Sequence, residues 1–277
     1  FTGINSYMGY VHFWKEDRCQ RLYGTRPENF QLVELPIRGV KAGCERSLCV
    51  CNGIMYYVSR DGVMAFDGSS PVNVGDALGD TVLSNAAAGV HGDKVYLGAH
   101  AQFTKPMAIS SDWEANVLFV IDAKHGLWHM EDAGEIQGFA STTEGDFMLM
   151  GGASGRLVLI DGGTSKYDDA GAEDEGPVRW MGISGDIGQD SPNQKWIRRL
   201  TFRINAEAGS RMGIHIMYNN DGNWETALEY TGEGKRSETL KIRTRRCDHF
   251  KLGYEGEGRV LIQSMAKTYD EGSERGV

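Results

Sequence analysis

The sequence predicts an all-β protein, a propeller-like array of antiparallel hairpins over residues 1–177 followed by a C-terminal β-sandwich over residues 178–277. Three observations predict it. Glycine is abundant and proline scarce, 37 against 6 in 277 residues, which suits many short strands joined by tight turns. The stretch Gly53 to Gly68 reads as one complete hairpin: Ile54 to Val58 is β-branched and aromatic, Arg60-Asp61-Gly62 supplies a turn needing positive φ, and Val63 to Phe66 returns before a second Asp-Gly. A lone hairpin cannot bury both faces, so the unit must be stacked or repeated, and the chain repeats it.

The elements follow in order. Tyr10 to Trp14, a turn through Glu16-Asp17, and Cys19 to Tyr23 form a first hairpin, which ends in a loop containing Pro27. Leu32 to Leu35 is a short strand stopped by Pro36. Ser47 to Val50 introduces the hairpin of Gly53 to Gly68, and the small residues of Asp76 to Gly89 read as a loop. His91-Gly92-Asp93 then turns into Lys94 to Leu97, which pairs with Val117 to Ile121 across an insertion containing Pro106 and Trp113. Asp122 to Gly126 turns into Leu127 to Met130; Gly145 to Met150, Gly151 to Gly155 and Arg156 to Ile160 repeat the pattern. Aligned on their turns, about four such units recur every ~40–50 residues, the spacing of propeller blades. An irregular antiparallel sandwich is the alternative. The chain opens at Phe1 without an initiator Met, so a truncated or processed protein lacking N-terminal blades is the expectation.

Tyr167 to Gly176 is a charged stretch with little to bury and reads as a linker. Beyond it lie strands at Val178 to Ile183, Trp196 to Ile204, Met212 to Tyr218, Trp224 to Tyr230, Glu238 to Ile242, His249 to Gly253 and Arg259 to Ser264, with a hairpin turn at Asn219 to Asn223.

Charge and cysteine content exclude several classes. Residues 178–277 carry 16 Lys+Arg against 14 Asp+Glu, net +2, leaving 13 against 24, net −11, for the rest of a chain of net charge −9. That acidic bulk argues against direct nucleic-acid contact. No apolar run reaches the roughly 18–20 residues of a membrane span, so no membrane partner is expected, and the N-terminus lacks signal-peptide character. The five cysteines read as reduced, and Cys49-Val-Cys51 lacks a second ligand pair for a metal.

Candidate chemistry is sparse. Asn219 to Asn223 with Glu225 has a single Asp where a calcium loop needs several acidic groups, so a turn is the reading. Asp61, Asp67 and Asp161 precede glycines and serve turns, with a channel lined by carboxylates as the alternative. His91, His100, His125 and His129 sit in or beside turns, with no ligand-spaced pair. Ser110-Ser-Asp-Trp113 lacks the glycine of a sialidase-type turn, and no nucleophile elbow or phosphate loop is present. No catalytic residue, metal site or cofactor is therefore assigned. Lys241, Arg243 and Arg245 would share one face of a strand, with Arg246 following. These four residues mark either a subunit interface or an edge strand protected by charge.

The motifs Arg246 to Phe250, Leu252 to Gly258 and Lys267 to Glu274, with Arg21 to Gly24, Pro27 to Phe30, Tyr56 to Gly68 and Trp196 to Arg199 upstream, resemble the bacteriophage stabilization protein family. The resemblance implies a virion structural protein near the head-to-tail junction or tail, with a propeller-like body and no catalytic residues. It implies other virion proteins as partners, in a homo-oligomeric ring or with portal and tail components, and a location in the virion, or in the host cytoplasm during assembly. The alternative is a carbohydrate-binding or carbohydrate-cleaving propeller, in which turn carboxylates and aromatics such as Trp113 and Trp128 form a sugar site.

Overall fold

A computed structural model describes residues 1–79, 81–103, 116–131, 134–152, 155, 157–160, 179–188, 195–234, 238–242 and 244–271. These residues are almost entirely antiparallel β structure, with two single-turn 3-10 helices at Pro27–Asn29 and Asp76–Leu78. None of their helices is long and apolar enough to cross a membrane. They divide into two compact units, one ending at Ile160 and one beginning at Arg179.

The first unit is a succession of blade-like meanders. The first blade comprises β1 (Gly3–Tyr7), β2 (Tyr10–Trp14), β3 (Cys19–Tyr23) and β4 (Gln31–Leu35), hydrogen-bonded in that order. The second comprises β5 (Cys49–Cys51), β6 (Ile54–Ser59), β7 (Gly62–Phe66) and β8 (Val72–Asn73). In the third, β9 (Val82–His91), β10 (Lys94–Gln102), β11 (Asn116–Asp122) and β12 (Leu127–Glu131) follow one another, and the fourth contains β13 (Ile136–Ser141), β14 (Phe147–Gly151) and β15 (Leu157–Leu159). The four repeats expected from turn spacing are thus present, each strand pairing with its successor in sequence.

Stacking of blade on blade forms the core. Alternation along β1 to β3 turns Tyr7, His12, Trp14 and Cys19 to one face, and all four are buried. Trp14 meets Tyr57 of β6 at a centroid distance of 5.1 Å and Phe66 of β7 edge-on at 6.0 Å. Between the third and fourth blades, Tyr96, Leu118 and Val120 pack on Ile136, Phe147 and Leu149.

Two differences from the sequence reading have physical causes. Val82–His91 is a ten-residue strand where small residues suggest a loop. Ala87 is buried on the face it shares with Gly89, where a Cβ would lie 2.4 Å from Cβ of Phe139, so the side chains of that face are small because the fourth blade presses on it. The strand β1 is also unanticipated: it joins β2 through Met8 (φ 51°) and Gly9 (φ 80°), and its Gly-Ile-Asn-Ser-Tyr carries few β-formers.

The second unit is a sandwich. One sheet runs β16 (Arg179–Ile183), β22 (Phe250–Glu257), β18 (Arg211–Tyr218), β19 (Glu225–Thr231). In the other, β17 (Lys195–Ala206) is flanked on one side by β20 (Glu238–Ile242) and β21 (Arg246–Cys247) and on the other by β23 (Val260–Glu271). Leu200, Phe202 and Ile204 from the second sheet meet Met212, Ile214, Ile216 and Leu252 from the first in a buried core. The hairpin β18–β19 turns through Asn219 and Asn220, both at positive φ (53° and 52°), as the asparagine-rich stretch predicts.

Candidate functional site

The basic stretch is interrupted. β20 ends at Ile242 and pairs Lys241 with Thr201, while Arg246 begins β21 opposite Trp196. Lys241 and Arg245 therefore do not share one strand face, because β17 exchanges one partner for another between them. Arg243 lies outside the described residues. Arg245 is held within the chain: its guanidinium meets Glu225 at 2.8 Å and Asp221 at 3.6 Å, and stacks 4.3 Å from the ring centroid of Tyr218. Lys241 and Arg246 are exposed.

The other candidates mostly have local employment. Asp61 pairs with Arg38 at 2.6 Å, and Asp67 accepts the backbone N–H of Ser69 at 2.9 Å and its hydroxyl at 2.5 Å. The Ser69 hydrogen bonds hold the Asp67 carboxyl below its usual range. His125 meets Asp122 at 2.8 Å within its turn, and His91 stacks on Phe147. Burial pushes the Cys49 thiol up to about 12, which disfavours the thiolate that a metal requires. The five cysteines are free, and no group of His, Cys, Asp or Glu with metal-site geometry occurs among the described residues. Trp113, Asp161 and the stretch Tyr167 to Gly176 lie outside those residues.

Two features remain that sequence reading missed. The first is a pocket between the third and fourth blades. Asn85, His100, Asn116 and Glu135 line it with Ala99 and Ile136, around a cavity of about 220 Å³. His100 Nδ1 lies 3.2 Å from Asn116 Oδ1, and Gln137 Nε2 donates to Glu135 Oε1 at 2.6 Å. Asn85 holds a left-handed conformation, φ 50°, within β9, where the register with β10 shifts between Gly98 and His100. Carboxamides, an imidazole and a carboxylate around one pocket suit a neutral, hydroxyl-rich ligand. No local signal exists for this grouping, since its residues come from four strands or strand edges.

The second feature is β23. It has β17 as its one hydrogen-bonded neighbour among the described strands, and Leu261 and Met265 are 54% and 40% exposed along it. Residues 260–268 include one charged side chain, Lys267. Long, nearly uncharged open edges template further pairing.

No family model and no curated protein matches the chain. Solved structures show likenesses. One is an exo-β-1,3-galactanase from Phanerochaete chrysosporium with β-1,3-galactotriose, at 8% identity and TM-score 0.32, covering 94% of this chain and 80% of that one. Another is the GH43 protein BlXynB from Bacillus licheniformis, at 10% identity and TM-score 0.28, covering 94% and 85%. A third is TmCBM61 with β-1,4-galactotriose, at 16% identity and TM-score 0.26, where 34% of this chain covers 64% of that one. Scores this low carry no argument about what the chain binds or does.

Proposed function

We propose that this chain is a non-catalytic structural protein of a bacteriophage particle, acting at the head-to-tail junction or tail through contacts between subunits. The observation that carries the reading is the edge that β23 leaves open among the described strands, whose first seven residues, Val260 to Ala266, carry no charge. An edge of this kind is either blunted or covered, and Val260 to Ala266 holds neither a charge nor a proline; its one irregularity is the register shift at Gln263, opposite Arg203 and Ile204. The contrast with β20 is informative: β20 carries exposed Lys241 on its own open edge and keeps the charge-protected role. The family-like motifs add support, since Arg246 to Phe250, Leu252 to Gly258 and Lys267-Thr268 run along β21, β22 and β23. The test is to replace Leu261 and Met265 together by Glu in the virus and count DNA-filled, infectious particles. The yield should fall; a normal yield removes β23 from the assembly.

A second reading, recognition of carbohydrate, is favoured by the polar pocket of Asn85, His100, Asn116 and Glu135. Its hydrogen-bonding groups match sugar hydroxyls in kind. Binding to a glycan array that Asn116→Ala abolishes would establish it, and the absence of binding by the unaltered protein would remove it.

A further inference from the structure

The hairpin of β5 and β6 turns through Asn52-Gly53, the chain's one Asn-Gly pair. Both residues hold positive φ, 50° and 79°, as a two-residue hairpin turn requires, and both are exposed. The pair also joins three blades. Tyr7 of β1 donates its hydroxyl to the Gly53 carbonyl at 2.7 Å, and Asn52 Nδ2 donates at 3.2 Å to Oδ1 of Asp93, in the turn between β9 and β10. A carboxylate only accepts, so the Asn52 side-chain atom facing Asp93 is assigned as the nitrogen.

We propose that Asn52 is a site of spontaneous deamidation, and that the change weakens the contact between the second and third blades as the protein ages. The backbone nitrogen of Gly53 attacks Cγ of Asn52 and closes a succinimide ring. The proton that this nitrogen gives up leaves with the side-chain amide nitrogen as ammonia. Water then adds at one of the two ring carbonyls, and the ring opens to aspartate or to isoaspartate. Glycine lacks the side chain that hinders such a closure, and a Cβ on Gly53 would meet nothing within 4 Å, so ring and water have room. Aspartate closes the same ring through its protonated acid, a minor form at neutral pH. The carboxylates of the described Asp-Gly pairs are engaged besides: Asp61 by Arg38 at 2.6 Å, Asp67 by the Ser69 N–H at 2.9 Å and Asp221 by Arg245 at 3.6 Å. Deamidation replaces the donor facing Asp93 by a second carboxylate, and the isoaspartyl form also adds a methylene to the backbone that places the Gly53 carbonyl. The inference is independent of both readings of function.

The test is peptide mapping by mass spectrometry after incubation of the purified chain in warm, mildly alkaline buffer, with isoaspartyl methyltransferase labelling to separate the two products. Urea melts follow the aged protein and its variants. Asn52 should lose its amide ahead of every other asparagine, with isoaspartate the larger product. Aged protein and Asn52→Asp should both unfold at lower urea than fresh protein, the unfolding constant rising at least about threefold. In the Asp93→Asn background, Asn52→Asp should cost little, because the opposing charge is gone and a donor faces the new carboxylate. Asn52→Gln keeps an amide that closes its ring poorly, and it should not age. Circular dichroism checks that each variant is folded, as exposed turn positions allow. An Asn52 that keeps its amide in the fold while the chain unfolded in urea loses it, a deamidated chain that melts like fresh protein, or a cost of Asn52→Asp that persists in the Asp93→Asn background would each overturn the proposal.

Discussion

Arg21 Nε donates to His12 Nε2 at 2.9 Å across β2 and β3, beneath a stack of aromatic rings that leaves His12 fully buried. With Nε2 accepting, the ring proton is assigned to Nδ1, which donates to the carbonyl of Tyr10 at 3.1 Å. Burial, and secondarily the charge of Arg21, hold the His12 pKa below the ordinary histidine value.

A pH dependence follows from that pair. In the unfolded chain this imidazole protonates near pH 6.5, whereas in the fold it stays neutral to lower pH. The unfolded state therefore binds more protons between about pH 6.5 and the lowered value, and stability falls as pH falls through that window. The slope from this one group reaches at most about 1.4 kcal/mol per pH unit. Urea melts at three pH values between 7.5 and 5.5 should show a shallower decline for His12→Gln than for the unaltered protein. Equal declines would contradict the assignment.

Trp14 is the side chain on which the first two blades meet. It is completely buried against Tyr57 and Phe66, and its indole N–H donates to Asn5 Oδ1 at 2.8 Å. Trp14→Ala should lower unfolding free energy by about 3–5 kcal/mol in urea, and Trp14→Phe by much less. A loss under about 1 kcal/mol for the alanine variant would mean that the blades do not depend on this contact.

Close approach of the third and fourth blades makes Gly89 a sensitive position. A methyl group there would meet both Cβ and Cγ of Phe139, at 2.4 and 2.7 Å. Gly89→Ala should cost about 1–3 kcal/mol, and Phe139→Ala should offset part of that loss in the double variant. Strict additivity of the two changes would contradict the packing described.

The sandwich hairpin depends on Asn219. Its left-handed backbone is one that asparagine tolerates, and its side chain accepts the backbone N–H of Asp248 at 2.9 Å. Asn219→Ala removes both advantages and should lower stability by about 1–2 kcal/mol. Asn220→Gly should be neutral or slightly stabilising, since glycine also suits the turn.

Legibility in the sequence tracked how local each determinant is. The turns at Arg60-Asp61-Gly62 and Asn219 to Asn223 are written in residues that only a few backbone conformations accept, and both hairpins form there. The strand β9 was hidden because Ala87 and Gly89 are chosen for the approach of another blade, not for strand propensity. The break after Ile242 was equally hidden: Lys241-Ile-Arg-Thr-Arg alternates like a strand, and only the passage of β17 from β20 to β21 ends it. Asn85, His100, Asn116 and Glu135 come together through register alone, so no spacing announces their pocket.

The role proposed for this chain is that of a component of a particle. Its most direct test is to purify DNA-filled particles from a host that carries the gene, wash them at high salt, and measure the copies of this chain per particle by quantitative mass spectrometry. A fixed, whole-number copy count should survive the wash. Recovery of the chain only in the soluble fraction, with none in the particles, would contradict it.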